Sequence, residues 1–136
     1  MALKVRRVVT DHDERGQSKV AIDDTCANVI SRRAGHESCV AWTGADGTIL
    51  RVVEYQPGVA PRMHRTETID YAVVMSGEID MQLDHGTVRL RAGDVLVQQA
   101  TLHDWINRGA VPCRIAFVLV PTKPLERGGK ALHAVG

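Results

Sequence analysis

The sequence predicts an all-β fold, a sandwich or barrel of short antiparallel strands in one domain. Three observations carry that prediction. Apolar and polar residues alternate with a period of two over most of the chain, the spacing that gives a strand one dry face and one wet face. Glycine and proline punctuate these runs at Gly44, Gly47, Pro57–Gly58, Gly77, Gly93 and Gly109, and many short strands at such spacing form a sandwich or barrel. Helical periodicity is scarce.

In chain order, the alternation predicts strands over 4–10, 18–23, 38–43, 48–55 and 70–76. The clearest run covers 78–91: Ile79, Met81 and Leu83 alternate with Glu78, Asp80 and Gln82, and Val88 and Leu90 alternate with Arg89 and Arg91. Asp84–His85–Gly86 between them is turn chemistry, which makes a hairpin. Strands over 94–98 and 103–107 follow, then one that turns Ile115, Phe117 and Leu119 inward with Arg114 outward. Residues 24–30 read equally as a short capped helix or as a loop over the barrel end. After Pro121, two prolines and a Gly-Gly pair predict a surface excursion.

A chain of 136 residues supports one domain with a core. It divides into N-terminal strands and loop (1–47), a core (48–120) and a tail (121–136). Seventeen basic against sixteen acidic residues leave a net charge of +1, which gives no broad basic field for nucleic acid. Arg6–Arg7 and Arg32–Arg33 are read as solvated pairs. No run approaches the ~20 apolar residues that span a bilayer, and the N-terminus lacks the apolar segment of a signal peptide. Cys26, Cys39 and Cys113 are an odd number without C-x-x-C spacing. That predicts reduced thiols and a cytoplasmic location.

The stretch from Gly58 to Asn107 holds the chemistry. Gly58, His64, Thr66, Asp70 and Gly77 stand in the register glycine, His, His, Glu, glycine, with Thr66 at the second His and Asp70 at the Glu. Gly93, Gln99, Thr101, His103 and Asn107 follow the register glycine, proline, glycine, His, asparagine, with one residue fewer before the His. These two motifs resemble the signature of the cupin superfamily. The resemblance implies a double-stranded β-helix, a jelly-roll-like barrel, with a homodimer as its assembly. It further implies that His64, Asp70 and His103 are the metal ligands and the catalytic residues.

Two imidazoles and one carboxylate make the facial set that holds Fe(II) with open positions, and Mn(II) or Zn(II) accept it too. Thr66 is a poor ligand and Asp70 is a methylene shorter than Glu, so an empty polar pocket has equal standing with a divalent metal. In that case His beside Asp acts as general base, the carboxylate fixing the tautomer. Thr66, Trp105, Gln98 and Tyr71 are the substrate-pocket candidates: Thr66 shares the face of His64, Trp105 supplies a wall that stacks on a flat ligand, Gln98 or Gln99 needs an inward partner, and Tyr71 carries a phenolic donor. Glu67 is read as facing solvent, and Arg62 and Arg65 as solvated, with one of them near the pocket mouth as the alternative. His12, His36, His85 and His133 are read as surface residues. The functional expectation is an enzyme acting on a small polar organic molecule in the barrel, metal-dependent and oxygenase-like. The alternatives are a metal-free lyase or isomerase using His and Asp, and a barrel that binds a small ligand without turning it over.

Overall fold

In the computed structural model, residues 3–136 are described. Among them every regular element is a strand. The chain runs through β1 (Arg6–His12), β2 (Ser18–Thr25), β3 (Val29–Arg33), β4 (His36–Thr43), β5 (Ile49–Tyr55), β6 (Thr68–Ser76) and β7 (Glu78–Leu83). It continues through β8 (Gly86–Arg91), β9 (Val95–Gln99), β10 (Asp104–Ile106), β11 (Cys113–Pro121), β12 (Leu125–Arg127) and β13 (Lys130–Leu132). A six-stranded sheet in the order β3-β4-β5-β11-β6-β9 faces a three-stranded sheet in the order β10-β7-β8, and all pairings are antiparallel. β1 and β2 form a separate hairpin, as do β12 and β13.

The core lies between the two large sheets. Val53 and Tyr55 from β5, Ala72 and Val74 from β6 and Ile115 and Phe117 from β11 meet Ile79, Met81, Leu90 and Trp105 from the smaller sheet. These are alternate residues on each strand, as a period of two requires. At roughly 25 cal/mol per Å² of apolar surface removed from water, this shared face is what holds the sheets together. A second, smaller cluster forms where Leu3 and Cys26 cover Cys39 and Val52 on the outer face of β4 and β5. The turn at Gly77 shows why that position is glycine. Its φ is +75°, and an added Cβ would lie 2.5 Å from the Pro112 carbonyl oxygen.

Three segments depart from the sequence reading. Residues 24–30 are not helical: β2 runs on to Thr25, and β3 begins at Val29 and pairs with β4. Asn28 sits between two strands, and its carbonyl accepts from Val40 N. The tail is also more ordered in its pairing than a surface excursion. After the β12–β13 hairpin it returns to the His64 segment, where Arg65 and Val135 exchange backbone hydrogen bonds of 2.8 and 3.0 Å. Val88, read as inward, is exposed, and Asp80 on β7 is buried instead because Arg89 and Arg108 both bond its carboxylate.

Candidate functional site

Alternate residues of the two sheets point into one end of the barrel and line a cavity of about 90 Å³. β5 contributes Arg51, Val53 and Tyr55, β6 contributes Asp70, β11 contributes Phe117 and Leu119, and β10 contributes Trp105. The segment before β6 adds Arg62, His64 and Thr66, the residue before β10 is His103, and the β3–β4 turn adds Arg33 and His36. The structure therefore brings together His64, Asp70, His103, Thr66 and Trp105 of the candidates read from the sequence.

His64 and His103 are held as a pair. Their backbones form an antiparallel bridge, each N–H donating to the other carbonyl at 2.9 Å, and the ring centroids are 4.4 Å apart. Each ring is anchored through Nδ1: His64 to the Arg62 carbonyl and His103 to the Thr101 carbonyl, both at 2.8 Å. A carbonyl only accepts, so Nδ1 carries the proton in both neutral rings and Nε2 keeps its lone pair. Burial, the larger cause, lowers the His64 pKa to about 4 against the raising effect of its bond to Arg62; His103, Arg62 and Arg33 lower it further. Burial likewise lowers His103, opposed by its bond to Thr101 and by Asp70 and Asp104. Both imidazoles are neutral at pH 7 and offer acceptors.

Asp70 is 7% exposed, and both of its oxygens are engaged. Thr68 donates to Oδ1 at 2.6 Å and Gln98 Nε2 donates to Oδ2 at 2.9 Å. Because the Thr68 proton is spent on Asp70, the 2.9 Å contact between Thr66 and Thr68 has Thr66 as donor. Gln98 Oε1 in turn accepts from both the backbone and the hydroxyl of Thr101, the residue whose carbonyl holds His103. Gln98 is thus a buried positioning residue, and its partners are Asp70 and Thr101 in place of a substrate. Among the described residues, no group of three or more His, Cys, Asp and Glu side chains is gathered closely enough to hold a metal ion. Two imidazole donors are in place, and Thr68 and Gln98 orient the carboxylate of the expected triad without exhausting its lone pairs. The arrangement as it stands does not fit a three-ligand metal centre.

Tyr71 leaves the pocket list. It is 52% exposed on the outer face of β6, opposite in parity to Asp70. Asn107 is structural: its amide donates to the Tyr55 and Val111 carbonyls and its oxygen accepts from Gly109 N. Glu67 is half-buried outside the cavity, where its carboxylate accepts from Ala134 N of the tail. Of the two arginines beside His64, Arg62 lines the cavity; Arg65 turns to the tail and bonds the His133 carbonyl.

The sequence reading missed Arg33, His36 and Arg51. Arg33 is not a solvated surface residue: its Nε donates to the Ala60 carbonyl and its side chain borders the cavity. His36 is partly buried, stacks edge-on against Tyr55 at 5.5 Å, and has its pKa lowered to about 4, chiefly by burial and then by Arg33, Arg51 and Arg62. A signal existed for Arg51. In the strand ILRVVEY it shares parity with Val53 and Tyr55, which places a charge among inward apolar residues. For Arg33 and His36 the needed fact was the β3–β4 turn, which propensity alone did not show.

A jelly-roll barrel of two antiparallel sheets, with an imidazole pair at one end of its interior, defines the class. The Cupin domain family model matches residues 51–120, and the chain belongs to the cupin family. Its relatives include phomopsin biosynthesis cluster protein C′ of Diaporthe leptostromiformis, 50% identical over 91 residues, which are 65% of this chain and 48% of that protein. The cupin-domain-containing oxidoreductase fogC of Aspergillus ruber is 41% identical over 92 residues, 65% of this chain and 45% of that protein. The chain spans about half the length of these relatives. Among solved structures, the cupin domain of Schizosaccharomyces pombe Cnp3 superposes with a TM-score of 0.64 at 13% identity, covering 88% of this chain and 89% of that one. The polyketide cyclase RemF from Streptomyces resistomycificus gives 0.57 at 20% identity, covering 64% and 66%. These two likenesses show the fold. Among the described residues, no helix is long and apolar enough to cross a membrane.

Proposed function

We propose that this cupin domain is an enzyme acting on a small polar organic molecule, with His64 and His103 as its acid–base centre. The observation that carries this reading is the anchoring of both Nδ1 atoms to backbone carbonyls beside one cavity. It fixes the tautomer that leaves Nε2 free as a base. The relatives support an enzymatic role, since one is named an oxidoreductase and another a biosynthesis cluster protein. In this reading Nε2 of His64 takes a proton from a carbon next to a carbonyl, and the C–H electrons pass into the enolate. The resulting imidazolium returns that proton to a different atom of the same molecule, which is an isomerisation, or to a leaving group, which is an elimination. His103, 4.4 Å away between ring centroids, serves as the second acceptor. Trp105 and Phe117 wall the cavity and exclude water from the carbanion.

The test is proton exchange. Metal-stripped protein is incubated in D₂O with a panel of small keto, hydroxy and enol compounds, charged and neutral, and loss of C–H signal is followed by NMR. Exchange by the wild-type protein that disappears in His64→Asn supports the reading. Exchange unaffected by His64→Asn, or seen only after Fe(II), Mn(II) or Zn(II) is added, overturns it. Stabilisation by a ligand with no exchange or product favours a non-catalytic binding barrel.

A second reading, a metal-dependent oxygenase-like enzyme, is favoured by the same Nδ1 anchoring, because metal-ligating histidines are usually oriented that way. It takes His64 and His103 as ligands and requires Asp70 to move closer to them than it lies here. The homodimer expectation finds support on the outer face of the six-stranded sheet. There Trp42, Leu50, Val118, Tyr71 and Val97 are all exposed and are cross-strand neighbours in one unbroken row over five strands. A second copy of this chain covering that row is part of the proposal, and light scattering on Val97→Lys against the wild type tests it.

A further inference from the structure

Among the described residues, four arginines near the site have no paired Asp or Glu side chain. Arg33, Arg51 and Arg62 border the cavity that holds the two histidines, and all three recur in the lining of an adjoining cavity of about 70 Å³ that also includes Arg32 and His36. Asp70 is the sole carboxylate in either lining. Elsewhere in the molecule six arginines are paired: Arg6 with Asp23, Arg7 with Asp24, Arg89 and Arg108 with Asp80, Arg91 with Glu78 and Arg114 with Glu54. Among the described residues no ion pair reaches Arg32, Arg33, Arg51 or Arg62. Arg33 Nε donates to the Ala60 carbonyl, and Arg62 Nη2 donates to the main-chain oxygen of Gly136, the last residue of the sequence. Arg51 has no such contact: its Nε is fully buried and without a hydrogen-bond partner among the described residues.

Arg33 and Arg51 are partly buried while Arg32 and Arg62 are exposed. An unpaired guanidinium taken out of water, as at Arg51, is costly, and the neighbouring arginines add repulsion. The proximity is felt: burial first and Arg32 second depress the Arg51 pKa, and Arg33, Arg51 and Arg62 all push His36 down. A divalent cation worsens this balance. An oxyanion relieves it, and the planar fork of Arg51 suits bidentate contact with such a group. We propose that Arg51, with Arg33 and Arg62, binds a carboxylate or phosphate group on the molecule whose reactive end meets His64 and His103. This rests on the acid–base reading for the identity of the reactive end only. The anion site stands on the arginines alone. The substrate is then a small organic anion, and the same guanidinium groups stabilise the negative charge that proton abstraction creates.

The experiment compares charged and neutral ligands of matched shape by calorimetry at fixed ionic strength: acetate with acetamide, benzoate with benzamide, and inorganic phosphate. The wild-type protein is expected to bind at least one anion ~10-fold more tightly than its neutral counterpart. Arg51→Met is expected to remove that preference and leave neutral ligands unchanged, and Arg62→Met to reduce it. Phosphate binding without carboxylate binding assigns the group as phosphate. His64→Asn is expected to keep the anion preference while losing proton exchange, which separates failure of the anion site from failure of the acid–base centre. Equal affinity for anions and neutral counterparts in the wild-type protein overturns the proposal without any variant. An undiminished preference in a folded Arg51→Met overturns it as well, and if that variant does not fold, Arg33→Met and Arg62→Met give the same reading.

Discussion

Gln98 donates its side-chain amide to Asp70 at 2.9 Å and is itself 3% exposed. Through its other end it holds Thr101, and Thr101 holds His103. One buried glutamine therefore ties the carboxylate on β6 to the turn that aims a histidine at the cavity. Ala100 in that turn adopts a φ of 51°, an uncommon conformation for a residue with a Cβ.

Gln98→Ala should leave a buried carboxylate oxygen and the Thr101 N–H without partners. Each buried unmet group costs about 1–3 kcal/mol, so urea denaturation should show a loss of at least ~2 kcal/mol. Proton exchange should fall with it, because His103 loses the support of Thr101. A variant as stable as the wild type would contradict the hydrogen-bond assignment.

His64→Asn should keep the fold and lose activity. His64 is partly exposed and its backbone bonds to His103 do not depend on the ring. General-base contributions of ~10²–10⁴-fold in rate set the expected loss, read as kcat/KM on whichever substrate the exchange screen finds.

The pH dependence follows from neutral imidazoles. With the His64 pKa at about 4, kcat/KM should stay level from pH 8 down to pH 5 and drop near pH 4. A drop centred near 6.5 would mean an ordinary, solvated histidine.

Stability should weaken on the acid side for the same reason. His36 and His64 have folded-state pKa values of about 4, below the unfolded value near 6.5. Between those limits the unfolded chain binds more protons than the folded one, so stability rises with pH across that window and is lost as pH falls from about 6.5 towards 4. Above pH 6.5 both groups are neutral in both states and the effect vanishes. His36→Phe should reduce the slope of melting temperature against pH.

The strands were legible because alternation of polar and apolar residues survives in a single sequence. The 78–91 run appeared as β7 and β8 with the turn at Gly86, and the 48–55 run as β5 with a one-residue shift at its start. The two histidines were legible through the resemblance of their motifs to the cupin signature. What was not legible depends on tertiary contacts. β3 exists because Val29 and Ile30 pair with Cys39 and Ser38, a register that local propensity does not encode. The tail pairs with Arg65 across seventy residues. An inward glutamine at 98 or 99 was expected and Arg51 was overlooked, yet which partners Gln98 meets and which Arg51 lacks follows only from the packed structure.

The most direct measurement is long-range ¹H–¹⁵N correlation of the imidazole rings in uniformly labelled protein. His64 and His103 are expected to be neutral at pH 7 with the proton on Nδ1 and an unprotonated Nε2, as their bonds to the Arg62 and Thr101 carbonyls require, and His64 to stay neutral down to pH 5. A proton on Nε2 of either ring at pH 7, or an imidazolium at His64 by pH 6, would contradict this.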